Sequence, residues 1–218
     1  MLRPFEFKDP QHLVNRGRSP RTMAPAMIAT DALLSAYASG WFPMAVAPAE
    51  IRWYSPDPRG IIPLDSFHLP RRLVRTLRQQ RFDIRVDTNF RGVIQACADR
   101  EDADGDWIDE AIVETYCALH AQGFAHSVET WQDGVLVGGL YGVAIRGAFF
   151  GESMFHHVTD ASKAALAALV DRLRGRGYTL LDTQWVTEHL AQFGAIEIPR
   201  RRYLLMLDAA LAIDAAFT

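Results

Sequence analysis

A chain of 218 residues, 49% hydrophobic and 22% charged, is long enough to bury a sizeable core and has neither a disordered nor a fibrous composition. Its net charge of −3 excludes a global pull toward nucleic acid, so any RNA contact must come from a local patch. The two cysteines, Cys97 and Cys117, lack Cys-x-x-Cys or zinc-type spacing and give no support to a disulfide framework or structural metal.

The start, MLRPFEFKDPQHLVNRGRSPR, is polar and basic where a secretory signal needs an apolar run. The longest apolar reach, GVLVGGLYGVAI, is too short to span a bilayer, and a cytoplasmic, reducing location is expected with no membrane partner. Thr30 is placed to cap a short helix through ALLSAYAS that stops at Gly40. The proline-crowded WFPMAVAPAE and YSPDPRG read as loop and turn around a short strand, IRWY. Residues 1–62 are therefore expected to form a small N-terminal module, and 63–218 the main domain.

After Pro70, RRLVRTLRQQ reads as a helix, FDIRV as a strand, and FRGVIQACADR and DEAIVETYCALHAQG as helices. FAHSVETW, VLVGGLYGVAI and AFFGESMF, joined at QDG and RG, predict a three-stranded meander. DASKAALAALVDRLRGRG is a helix, YTLLDTQ a strand, TEHLAQFG a short helix, and PRRRYLLMLDAAL a last helix. The predicted class is α+β, a mixed sheet flanked by helices, whose element order resembles that of the GCN5-related N-acetyltransferases. Those enzymes hold a coenzyme A pyrophosphate at a glycine-rich turn before a helix, and SMFHHVTDASKAAL contains no glycine.

Several residues stand out chemically. In LLDTQW an apolar strand ends on Asp182 and Gln184, which share one face if the strand persists, at a strand end where sites are common. An aspartate capping the next helix and a glutamine facing solvent is the plainer alternative. Glu152, at the end of the third meander strand, is suited to hold a cationic group by a charge-assisted hydrogen bond. Arg71, Arg75 and Arg78 recur at i, i+4 and i+7, opposite Leu73, Val74 and Leu77, as a basic helix face suited to phosphates or to plain solvation. The acidic loop DREDADGD before Trp107 fails the EF-hand pattern, and His156 and His157 are not spaced to share a metal on a strand, so no metal is expected.

The ordered set YASGWFPM, WYSPDPR, DWI, HSVETW, GGLYGV, FFGESMF, ASKAAL, LLDTQ and EIPRRRY resembles the bacterial leucyl/phenylalanyl-tRNA-protein transferases from about Leu33 to Leu207. The resemblance implies transfer of Leu or Phe, less readily Met, from Leu-tRNA or Phe-tRNA to the α-amino group of proteins that begin with Arg or Lys, marking them for degradation. It implies no metal, no organic cofactor and a monomer. It places catalytic work on Asp182, Gln184 and Glu152, and the donor side chain among Leu140, Met154, Leu166, Leu169 and Leu181. It places the terminal adenosine near Tyr54, Trp107, Tyr116 and Phe149. The chain departs from the family pattern with Gly-Trp-Phe-Pro-Met at 40–44, with Tyr54 in place of a second tryptophan, and with Thr187 where asparagine is common.

Ester aminolysis is downhill, and alignment alone supplies effective molarities of about 10⁵ M or more. A free α-amine titrates at about 7.7–8.0, so on the order of a tenth is neutral at pH 7 and no strong base is obligatory. On this reading Gln184 accepts a hydrogen bond from the attacking amine, and Asp182 fixes its orientation or relays the proton. The tRNA's terminal ribose hydroxyl is an equally compatible proton carrier. An acetyltransferase of the same fold and a non-catalytic binder of tRNA ends or peptide N-termini are the rival readings.

Overall fold

The structure, a computed structural model, describes residues 27–47, 50–100 and 107–218. The basic start and residues 101–106 of the acidic loop lie outside the described residues. The elements run α1 (Thr30–Ala38), β1 (Phe42–Ala47), β2 (Glu50–Tyr54), β3 (Arg59–Ile62), α2 (Arg71–Arg78), β4 (Asp83–Val86), α3 (Phe90–Ala98) and α4 (Glu110–Ala121). They continue through β5 (Ala125–Gln132), β6 (Val135–Ile145), β7 (Ala148–His156), α5 (Ala161–Gly175), β8 (Leu180–Gln184), α6 (Glu188–Ala191), β9 (Ile196–Ile198) and α7 (Arg200–Leu211). From β4 to α6 the elements follow the expected order of an α+β mixed sheet, and β9, which was not expected, is inserted before α7.

Local chemistry explains most boundaries. The side chains of Asn89, Asp109 and Thr187 accept from the backbone N–H of Gly92, Ile112 and Leu190, capping α3, α4 and α6. Asp133 and Gly134, at φ 52° and 78°, form the left-handed hairpin turn between β5 and β6 that Asp-Gly predicts. Thr30 does not cap α1; it is the first helical residue after Ala29, and its hydroxyl accepts from Gln122 Nε2 at 3.0 Å. Phe42–Ala47, expected as loop, pairs antiparallel with β2, because a two-stranded ribbon leaves Pro43 on a strand with no second neighbour to serve.

The seven-stranded sheet has the order β4-β5-β6-β7-β8-β3-β9, antiparallel everywhere except between β7 and β8. Residues 59–62 thus lie inside this sheet, between β8 and β9. Apolar layers cover its two faces. One holds Leu33 and Tyr37 of α1, Val93, Ile112, Tyr116, Phe150 and Tyr203; the other holds Leu140, Phe149, Leu166, Leu169 and Leu181. Helix α1 therefore shares a core with the sheet.

The parallel pair creates the opening. β7 and β8 are in register only over Ala148–Phe150 and Leu180–Asp182, after which they separate. Two bulges accompany the separation. On β7 the partners of Tyr141 and Gly142 are Ser153 and Gly151, leaving Glu152 as the extra residue. On β8 the partners of Gly60 and Ile61 are Gln184 and Asp182, leaving Thr183 extra.

Candidate active site

The separated strands open a cleft of about 1280 Å³ lined on one side by Leu140, Met154, Leu166, Leu169 and Leu181, and at its centre by Glu152 and Gln184. A bulge kinks a strand and re-aims a side chain, and here both central residues owe their direction to one. Trp185 N–H donates to the Thr183 carbonyl at 2.6 Å, and Gln184 between them takes φ 58°. Such a three-residue turn with positive φ is the strained form, and it persists only where the surroundings hold it.

What holds it is Asp182, which is fully buried. One oxygen, Oδ1, accepts from Arg59 Nε and from the Gln184 backbone N–H, each at 2.9 Å. The other, Oδ2, accepts from Arg59 Nη2 at 2.6 Å and from the Tyr203 hydroxyl at 2.7 Å. Both oxygens carry two donors, so the carboxylate has no place for a moving proton. Of the two roles expected of Asp182, this arrangement suits fixing orientation, because both oxygens are already engaged.

Arg59 is 1% exposed and also donates to the Gly40 carbonyl at 3.1 Å. It lies 4.9 Å from the Phe42 ring centroid and 4.5 Å from that of Tyr203. Burial works against its charge, but the Asp182 carboxylate outweighs this and keeps the guanidinium's pKa above its ordinary value. A paired buried charge of this kind is costly to break.

The Gln184 amide nitrogen donates to Glu152 Oε1 at 3.3 Å, which leaves its carbonyl oxygen for another partner. Glu152 Oε2 accepts from the Tyr116 hydroxyl at 3.2 Å, and Tyr116 is itself hydrogen-bonded to the Tyr37 hydroxyl. Burial pushes the Glu152 carboxyl up to about 7, against the pull of the Tyr37 and Tyr116 hydroxyls. A carboxyl that titrates near neutrality beside an amide oxygen can exchange a proton with an amine of similar pKa.

The other expected site residues fall into three groups. Trp107 lines the cleft, joined there by Trp185, which is 41% exposed and sits edge-on to Phe42 with ring centroids 5.1 Å apart. Tyr54 backs this cluster, its ring 6.1 Å from Phe42 and 6.3 Å from Trp185. Tyr116 and Phe149 do not offer a face to a base: both are fully buried, Tyr116 against Glu152 and Phe149 stacked on Phe217 at 5.3 Å. Their strand and helix faces point them into the two cores. Arg71, Arg75 and Arg78 lie exposed on α2, outside the cleft, while Leu73 on the opposite face is buried.

The turn before α5, which contains no glycine, carries a buried carboxylate. Asp160, at φ 69° and 6% exposed, accepts from the Thr76 hydroxyl and Lys163 Nζ, each at 3.1 Å. The sequence reading missed Arg59, Tyr203, Tyr37 and Trp185. Arg59 and Tyr203 lie in the quoted WYSPDPR and EIPRRRY, but nothing local marks a buried arginine, since arginine is ordinarily exposed.

Comparison with known proteins places these residues in a family. The model for the leucyl/phenylalanyl-tRNA protein transferase family matches residues 61–208, and that for the N-terminal domain of the same transferases matches residues 26–57. A leucyl/phenylalanyl-tRNA–protein transferase of Gloeobacter violaceus is 55% identical over 188 residues, 86% of this chain and 96% of the relative. One of Paramagnetospirillum magneticum is 56% identical over 196 residues, covering 87% of this chain and 92% of the relative.

Proposed function

The chain belongs to the leucyl/phenylalanyl-tRNA–protein transferase family, and from that premise we propose how its cleft moves an aminoacyl group from tRNA to a protein α-amine. The donors are Leu-tRNA and Phe-tRNA, with Met used less readily, and the acceptors are proteins that begin with Arg or Lys. The product is marked for degradation. The reaction runs in the cytoplasm on a monomer and needs no metal or organic cofactor.

The donor side chain enters the apolar half of the cleft between Leu140, Met154, Leu166, Leu169 and Leu181. Methionine is adaptable enough to fit both a branched aliphatic and an aromatic guest. The ester then lies at the strand separation beside Gln184. The adenosine lies toward Trp107, where one stacked base is worth about 1–3 kcal/mol.

The acceptor arrives as an ammonium or an amine. Glu152, titrating at about 7, takes the extra proton from the ammonium at little cost. The Gln184 carbonyl oxygen accepts a hydrogen bond from the freed amine and aims its lone pair at the ester carbon. The N–C bond forms, the ester C–O bond breaks, and the ribose oxygen leaves with the proton released by the new amide nitrogen. Asp182 touches none of the reacting atoms; it holds Gln184 through the backbone.

The observation that carries this reading is the pairing of Gln184 with a carboxyl near neutrality at the mouth of an apolar pocket. The test mixes the protein with labelled Leu-tRNA and two peptides, one beginning with Arg and one with Asp. Label on the Arg peptide alone is expected, and Gln184→Ala is expected to lower turnover about 100-fold with donor affinity unchanged. Label on neither peptide, with tRNA still bound, would leave a non-catalytic binder; label on the Asp peptide would point to another acceptor class.

A further inference from the structure

The cleft has two unlike halves. The apolar half faces α5; the other, on the α3 face of the sheet, presents Glu152, Tyr141, Ser153, Asp99 and Arg100. Tyr141 is the anomaly there. Its ring is fully buried, packed edge-on to Phe90 at 5.9 Å and to Tyr116 at 5.6 Å. Its hydroxyl is buried with no hydrogen-bond partner among the described residues. The neighbouring Tyr37 and Tyr116 hydroxyls are both engaged. Native proteins rarely leave such a group unpaired, and each case calls for a missing partner.

We propose that the Tyr141 hydroxyl is a recognition group for the cationic side chain of the acceptor's first residue. The inference rests on the transferase reading and adds a residue to it. The acceptor's α-amine is held at Gln184, and its side chain must leave from the adjoining carbon. Glu152 stands next along that path, bonded to Gln184 through one oxygen and to Tyr116 through the other. Tyr141, paired across the sheet with Ser153 just past the Glu152 bulge, is on the same face as Tyr116 and packs against it.

A guanidinium or ammonium brings only donors, and a phenol oxygen has lone pairs to accept one while its O–H is free for a carboxylate. Burial, then the nearby Tyr116 and Glu152, hold Tyr141 well above its ordinary pKa against the opposing pull of Arg100, so it stays neutral beside the cation. The cation already present, Arg100, donates to the Met154 carbonyl at 2.7 Å. Apolar first residues would leave the Tyr141 hydroxyl unpaired and bring no charge to Glu152, which rejects them more strongly than a missing methylene would.

Tyr141→Phe separates this role from a structural one, because it keeps the ring and removes only the hydroxyl. With no partner among the described residues, the hydroxyl adds nothing to stability, so the melting temperature of Tyr141→Phe should equal or exceed that of the parent. With labelled Phe-tRNA as donor, KM for an Arg-initiated peptide should rise about tenfold or more, with kcat within about threefold and KM for Phe-tRNA unchanged. An unchanged peptide KM, or an activity loss that tracks a lowered melting temperature, would overturn the proposal. Failure of the parent protein to label the Arg peptide would instead remove the transferase reading on which it stands.

Discussion

Glu152 is where function and stability pull apart. Its folded pKa, about 7, lies above the value an exposed glutamate has in the unfolded chain, so the folded state holds the proton more tightly. The sign follows: stability is greatest below the unfolded pKa and falls as pH rises toward 7, where the buried carboxylate ionises. Glu152→Gln removes that ionisation while keeping an acceptor for Tyr116. At pH 8 it should be more stable than the parent by about 1–3 kcal/mol in denaturant titration, and should lose the rise in turnover expected of the parent as pH passes 7. A variant less stable at pH 8 would mean the carboxylate is satisfied as an ion. The chemical letters of this site were legible in the sequence, since Asp182 and Gln184 close an apolar strand; Glu152, expected at a strand end, lies instead in the middle of β7, at its bulge. Their division of labour was not. It depends on Arg59, 123 positions from Asp182, and on a tyrosine from α1, and no local pattern announces such pairings.

At the level of elements, the site is made by two bulges and one crowded approach of backbone to backbone. The sequence showed β7 and β8 by their alternation and α5 by its periodicity, yet it showed neither bulge, because a bulge is a property of pairing between strands. Short β3 and β9 were equally hidden, having four and three residues. Gly60 joins these facts. A Cβ there would lie 2.5 Å from the Trp185 carbonyl carbon and 2.9 Å from its Cα, so the turn carrying Gln184 closes directly onto this glycine. Backbone cannot yield as a side chain tip does. Gly60→Ala should therefore push the 183–185 turn outward and lower kcat at least tenfold, with the apolar pocket and KM for Leu-tRNA little changed. Near-parental kcat would show that Gln184 does not need this turn, and would weaken its place in the reaction.

For the whole molecule the question is how a protein of net charge −3 captures a polyanion. A local field is then required, and the exposed arginines of α2 are the candidate we propose. Arg71, Arg75 and Arg78 are exposed and carry no ion pair among the described residues, while Leu73 anchors the opposite face in the core. The helix is fixed in relation to the cleft: Thr76 donates to Asp160 at 3.1 Å, and the helix that follows, α5, provides Leu166 and Leu169 to the donor pocket. A tRNA whose terminal adenosine lies near Trp107 can then lay an acceptor stem along this face without being read for sequence. Replacing all three arginines by glutamate should weaken tRNA binding at least tenfold at moderate salt. The slope of log affinity against log salt should flatten by about 0.7–0.9 for each phosphate that the variant no longer neutralises. Turnover at saturating tRNA should stay near the parental value, because none of these side chains reaches the cleft. An unchanged slope would make the face merely solvated, and the docking field would have to be sought in another cationic surface.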